Sequence, residues 1–202
     1  ALQNVTVVAV TRIGTSLFTR TASTNSSGAY RLAGLPAGTY WLYTSNAGFF
    51  VNEIFNDIPC VGGVCSNAAA ATLGSPIAVA RGATVANQDF ALVEGGCISG
   101  VVRDSVAATP IGGQTVELSV QSGSGRTFVT SRVSGADGYF SFTGLTAGTY
   151  FLNSSVHAGS RNEIYNNIPC PTGCSTTSRC GCAPGAGRSS ACRIHRSATT
   201  SR

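Results

Sequence analysis

Lysine and methionine are absent from this 202-residue chain, and charged residues make up 10% of it, against roughly 25% in ordinary soluble proteins. Each shortage excludes something. Without Met the chain reads as a processed product or a fragment, so any export signal is expected upstream of Ala1. Eight acidic residues and two histidines, His157 and His195, leave few groups from which an active site could converge. The two histidines sit in unlike contexts, and His157 reads as a loop residue. No apolar run approaches the roughly 20 residues of a membrane-spanning helix, so no membrane span is expected. The formal net charge of +5 is concentrated at one end: five of the thirteen basic residues (Arg179, Arg188, Arg193, Arg196 and Arg202) lie in the last 24 positions. Upstream the chain is nearly neutral, with no basic stripe interleaved with aromatics, which argues against nucleic acid.

Cysteine is not scarce, and its placement is informative. Cys60 and Cys65 close a Val-Gly-Gly-Val loop, and Cys170 and Cys174 close Pro-Thr-Gly in the equivalent place. A close pair recurring at one position argues for a local disulfide in each copy and an oxidising, extracytoplasmic setting. Structural zinc needs more convergent ligands than two thiols without a nearby His. Asp104 and Asp137 are the candidates for a calcium site, but no Asp-x-Asp run accompanies them. No cofactor or metal is expected.

What is most plainly present is a repeat. Gly34-Leu35-Pro36-Ala37-Gly38-Thr39-Tyr40 returns as Gly144-Leu145-Thr146-Ala147-Gly148-Thr149-Tyr150, a spacing of 110 residues. The same spacing relates Asn52-Glu53-Ile54-Phe55-Asn56-Asp57-Ile58-Pro59-Cys60 to Asn162-Glu163-Ile164-Tyr165-Asn166-Asn167-Ile168-Pro169-Cys170. Glu53 and Glu163 recur with it and read as structural, in a salt bridge or a backbone cap.

Within each copy the pattern is that of short strands. Residues 3–12 are β-branched and partly alternating, and 16–25 form a second, polar strand. After Ser26-Ser27-Gly28, Tyr30 and Leu32 fall on one face of a strand over 29–33. The Gly34 to Tyr40 stretch then reverses the chain into a strand with Tyr40 and Leu42 facing one way, Trp41 and Tyr43 the other. Residues 67–72 are an Ala-rich hinge, and 76–81 with 85–93 read as a closing hairpin that turns Phe90 and Leu92 inward. In the second copy Cys97 to Asp104 opens with a strand that the first copy does not have. Val116, Leu118 and Val120 then face inward, in correspondence with Val5, Val7 and Ala9. The expected class is all-β: two tandem antiparallel β-sandwich domains, immunoglobulin-like or transthyretin-like. The first, 1–96, lacks its opening strand; the second, 97–178, lacks a normal closing hairpin. Residues 179–202 form an atypical Arg- and Cys-containing tail, either a frame-shifted stretch or a basic extension that binds or crosslinks a partner through Cys180, Cys182 or Cys192.

Gly100-Val101-Val102-Arg103-Asp104, Thr109-Pro110-Ile111-Gly112-Gly113, Ala136-Asp137-Gly138-Tyr139-Phe140 and the Gly144 to Tyr150 stretch together resemble the carboxypeptidase regulatory-like domain family, a transthyretin-like (prealbumin-like) sandwich. The resemblance implies a spacer, adhesive or accessory module of secreted and surface proteins with no chemistry of its own. A related family of surface sandwiches locks itself with Lys to Asn isopeptide bonds, which a chain without Lys cannot form. The leading expectation is a non-enzymatic structural module of a tandem-repeat surface or fibre-forming protein. Its partners would be further copies or neighbouring repeats, joined by strand complementation. The alternatives are a module that binds a glycan or host surface through Trp41, Tyr43, Phe49 and Phe50, and an accessory domain of a secreted peptidase.

Overall fold

The structure is a computed structural model that describes residues 1–46, 48–104 and 107–154, together with the backbone of four later strands, Asn162–Ile164, Ile168–Cys170, Cys180–Cys182 and Ser190–Arg196. The chain divides into two compact units, Ala1–Glu94 and Gly95–Arg202, each built mostly of antiparallel β-strands.

Unit 1 contains β1 (Thr6–Ile13), β2 (Ser16–Ser23), β3 (Gly38–Ser45), β4 (Glu53–Ile54), β5 (Ile58–Pro59), α1 (Asn67–Leu73) and β6 (Ile77–Val79). Its strands form one sheet in the order β2-β1-β3-β4-β5, with β6 also on β3. Central strand β1 is buried on both faces: Val7 and Ala9 on one, Val8 and Val10 on the other. A strand covered on both sides needs a continuous apolar run rather than alternation, and Val-Val-Ala-Val supplies it. On one face Ala9, Tyr40 and Leu42 are covered by Leu32, Leu35, Phe55, Ile77, Val79 and Phe90. On the other, Val8, Val10 and Ile54 pack with Cys60, Ala70, Trp41 and Tyr43.

Helix α1 corrects the expected Ala-rich hinge. Alanine has the highest intrinsic helix propensity, and Ser66 caps the N-terminus by accepting a bond from the Ala69 amide at 3.1 Å. With only seven residues the helix carries no long apolar stripe, so its periodicity was silent.

Unit 2 comprises β7 (Gly96–Asp104), β8 (Thr115–Ser122), β9 (Gly125–Val133), β10 (Tyr139–Leu145), β11 (Gly148–Ser154), β12 (Asn162–Ile164), β13 (Ile168–Cys170), β14 (Cys180–Cys182) and β15 (Ser190–Arg196). They make two sheets, β10-β7-β15 and β13-β12-β11-β8-β9 with β14 also on β11. Ile98, Val102, Phe140, Phe142 and Leu145 from the first sheet meet Val116, Leu118, Val120, Tyr150 and Leu152 from the second in one core. The two sheets share this core as a β-sandwich.

The closing strands differ from expectation in both units. The tail of unit 2, in which no strand pattern was found, contributes β14 antiparallel to β11 and β15 parallel to β7. Backbone pairing on an open edge does not require side-chain alternation, so the sequence pattern missed it. In unit 1 β6 forms, but residues 29–33 and 85–93, both expected as strands, join no sheet.

Repeat and structure agree in the corner. Gly34 and Gly144 adopt φ of 70° and 68°. Tyr40 donates its hydroxyl to the Pro36 carbonyl at 2.9 Å, and Tyr150 to that of Thr146 at 2.8 Å. Both phenol rings are buried, and their hydroxyls pin the loop that precedes them. The repeat spacing itself shifts by one residue inside the first hairpin. Val7 and Ala9 pair with Thr44 and Leu42 as Val116 and Leu118 pair with Ser154 and Leu152, a spacing of 109 on β1. The additional residue of β9 is taken up at a bulge where Leu118 faces Thr130 and Ser119 faces Phe128. The counterparts of Val116, Leu118 and Val120 are therefore Val7, Ala9 and Thr11, not Val5, Val7 and Ala9.

The two units part company beside Gly138 and its counterpart Gly28, with φ of 74° and 77°. A Cβ on Gly138 would lie 2.4 Å from the Val102 carbonyl oxygen of β7, whereas on Gly28 it would meet the Ala1 Cβ at 3.2 Å. Alanine at either site carries the left-handed penalty of about 1–2 kcal/mol. Gly138→Ala must also displace a strand, so it is expected to cost clearly more than Gly28→Ala in urea unfolding followed by circular dichroism. Equal losses would contradict this account.

Candidate functional site

The recurring Asn-Glu-Ile segment is a brace. Asn52 is buried; its Nδ2 donates to the Gly63 carbonyl at 2.9 Å, and its own carbonyl accepts from the Cys60 amide at 2.9 Å. Asn46 Nδ2 donates to Asn52 Oδ1 at 2.6 Å. Together these bonds hold the loop that the Cys60–Cys65 disulfide closes. Cys170 is described only as backbone of β13, and Cys174 lies outside the described residues, so the equivalent bond is not visible.

Glu53, also buried, exchanges two bonds with Thr44: its amide donates to Oγ1 at 2.9 Å, and Oγ1 donates to its carbonyl at 3.4 Å. Its carboxylate accepts from the Ala91 amide at 3.0 Å. This is a backbone cap, reaching the 85–93 segment from across the sheet. Burial pushes the Glu53 carboxyl above its ordinary pKa, the Ala91 bond opposes that rise, and nearby Asp57 adds to it.

The remaining candidates do not converge. Asp104 accepts from the Ala107 amide at 2.8 Å and Asp137 from that of Tyr139 at 3.0 Å, so each caps its own turn. Among the described residues no cluster of three or more His, Cys, Asp or Glu could hold a metal ion. His157 lies outside the described residues, and the side chains of Glu163 and His195 are likewise not described. No described helix is long and apolar enough to cross a membrane.

The four aromatics differ in their surroundings. Trp41 and Tyr43 are half-buried against the cluster that includes Ala70 of α1, and Tyr43 donates its hydroxyl to Asn67 at 2.9 Å. Phe49 is 60% exposed, while Phe50 bridges to Glu94.

What sequence reasoning missed is a pair of extended segments in unit 1. Among the described residues, 30–37 and 84–92 make no backbone-to-backbone hydrogen bond, although Leu32, Leu35 and Phe90 pack on the sheet. The two segments are linked through side chains instead: Tyr30 donates its hydroxyl to the Gln88 carbonyl at 2.5 Å, and the Tyr30 and Phe90 rings lie 6.3 Å apart. Burial, and then Asp89, push the Tyr30 pKa up to about 12, so the phenol remains a donor at any ordinary pH.

No family model matches the chain, and no curated protein matches it. Several solved structures of Gram-positive pilins are similar. A streptococcal ancillary pilin matches at a TM-score of 0.38 and 14% identity over 99% of this chain, which spans 59% of that pilin. The shaft pilin SpaA from Lactobacillus rhamnosus GG matches at 0.37 and 12% identity, covering 100% of this chain and 87% of that one. A group B streptococcus pilus 2b backbone protein matches at 0.35 and 18% identity, over 90% and 57%. Scores below 0.5 do not establish a common fold.

Glu53 yields a pH test. A carboxyl whose folded pKa is raised makes the fold more stable below its unfolded pKa, and that stability is lost as pH rises through the folded pKa. Unit 1, followed through Trp41 fluorescence in urea, is expected to lose stability across that window. Glu53→Gln keeps an acceptor for Ala91 and should remove this component of the pH slope; an unchanged slope would contradict the assignment.

Proposed function

We propose that the chain is a non-enzymatic structural module of a tandem-repeat surface or fibre-forming protein, working outside the cytoplasm and associating by strand complementation. The observation that carries the reading is the pair of extended segments in unit 1 whose peptide groups have no backbone partner among the described residues. Extended backbone left without a ladder is a template for another strand, and strand addition is an established mode of protein assembly. The Cys60–Cys65 disulfide agrees with an oxidising compartment. The motif resemblance to carboxypeptidase regulatory-like modules points the same way. The reading stands on the backbone of unit 1 rather than on the pilin matches.

Binding of a glycan or host surface is less well supported, because Trp41 and Tyr43 are occupied by packing within their own unit. The accessory-domain reading has no specific observation in its favour. Sedimentation velocity over a wide concentration range tests the assembly reading. Concentration-dependent association is expected, weakened by Leu32→Asp; a monodisperse monomer at the highest concentration would overturn it.

A further inference from the structure

We propose that the outer edge of β2 is an association surface whose partner is β2 of a second copy of this chain, laid antiparallel across a two-fold axis at Thr19. The direction of the backbone groups follows from the hairpin. The Thr24 amide donates to the Val5 carbonyl at 2.9 Å, and from there the register runs unbroken through eight pairs, from Thr6 against Ser23 to Ile13 against Ser16. Hydrogen-bonded and non-hydrogen-bonded pairs alternate along an antiparallel ladder, so Ser16, Phe18, Arg20 and Ala22 direct their peptide groups at β1. Those of Leu17, Thr19, Thr21 and Ser23 point the other way, and no other described strand pairs with β2 there. In unit 2 the equivalent strand β9 also ends its sheet, while β7, which opens that unit, pairs in the other sheet. The open edge therefore belongs to the hairpin itself, whatever precedes it.

The two edges are not alike. Edge strands are ordinarily blunted by charge, proline, bulges or brevity. β9 carries Arg126 and Arg132 and is broken by the bulge at Leu118 and Ser119. β2 has eight residues, a single charge at Arg20, no proline and no bulge. Phe18 faces Thr11 and Arg20 faces Ala9, so both side chains lie on one face of the sheet. Phe18 is 50% exposed and Arg20 is exposed beside it.

Side chains then select the partner and the register. A second copy offers the same row of outward peptide groups, and an antiparallel pairing must set those rows against each other. With the axis at Arg20, two like charges would stand directly opposite, which is destabilising. With the axis at Phe18, only Ser16 to Arg20 would overlap. With the axis at Thr19 the overlap runs from Ser16 to Ala22. Thr19 then bonds Thr19 of the second copy, Leu17 bonds Thr21, and Phe18 stands opposite Arg20 twice, once on each side of the axis. Those are non-hydrogen-bonded pairs, whose Cα atoms approach to about 4.5 Å, so each guanidinium can lie over a phenyl ring and cover it. This pairing goes beyond the assembly reading by naming another surface, and it rests on β2 alone.

The test follows the full chain by sedimentation velocity and by residue-resolved amide hydrogen exchange at low and high concentration. Exchange at Leu17, Thr19 and Thr21 is expected to slow as the chain associates, while Phe18 and Arg20, already bonded to β1, keep the protection they have in the monomer. Thr19→Pro removes two bonds between copies and none within a copy, and is expected to weaken association about ten-fold or more. Arg20→Gln and Phe18→Ala should each weaken it about five-fold, and Phe128→Ala on β9 should leave it unchanged. The exchange pattern of the unaltered chain decides the matter even where a variant fails to fold. Association that Thr19→Pro leaves unchanged, or exchange at Leu17, Thr19 and Thr21 that does not slow, would overturn the edge pairing and leave the assembly reading standing. Association lost in Thr19→Pro but indifferent to Leu32→Asp retains the edge and discards the part assigned to the 29–35 stretch. A chain that is monomeric at every concentration would overturn both.

Discussion

A strand inside a sheet satisfies the backbone of both its neighbours, and in unit 2 that strand is β7. It pairs with β10 on one side and β15 on the other, and it supplies Ile98 and Val102 to the core. Peptide groups left without partners away from water are costly, so an extended segment becomes a strand only where a neighbour runs beside it. Among the described residues the neighbour is seen beside 139–145 and not beside 29–35. The 29–35 and 139–145 stretches share their turn glycines and their apolar alternation, yet one is a strand and the other is not.

Unit 1 holds together through its other layer. Its sheet is covered on one face by α1 and the disulfide loop, so β1 is buried on both sides. On the opposite face side chains do what a ladder does in unit 2: Tyr30 reaches the Gln88 carbonyl, Phe90 packs edge-on against Phe55 at 5.8 Å, and Glu53 holds the Ala91 amide. These ties keep the two extended segments on the sheet without pairing them to each other.

Much of this was legible in the sequence where the signal lay in side chains. The Gly34 to Tyr40 corner was recognisable because it recurs, and the structure gives its tyrosines a reason in the hydroxyl bonds to Pro36 and Thr146. That residues 29–33 and 85–93 join no described sheet was not legible, because their alternation specifies an inward face and says nothing about a hydrogen-bonded neighbour. Backbone pairing likewise hid the tail strands β14 and β15. Helix α1 was too short to show a period, and the half-burial of Trp41 and Tyr43 depends on that helix. Glu53 was correctly read as a structural acid, but its partner, Ala91, lies 38 residues away.

The central claim is that β7 makes a ladder of the 139–145 stretch, while among the described residues the 29–35 stretch is held by side chains instead. Amide hydrogen exchange on the isolated chain, compared position by position between residues 30–35 and 139–145, tests it most directly, since protection reports which amides are held in a ladder. The account predicts that the β10 amides facing β7 exchange slowly while those of 30–35 exchange close to the rate of an unstructured chain. Equal, strong protection at the two places would contradict it.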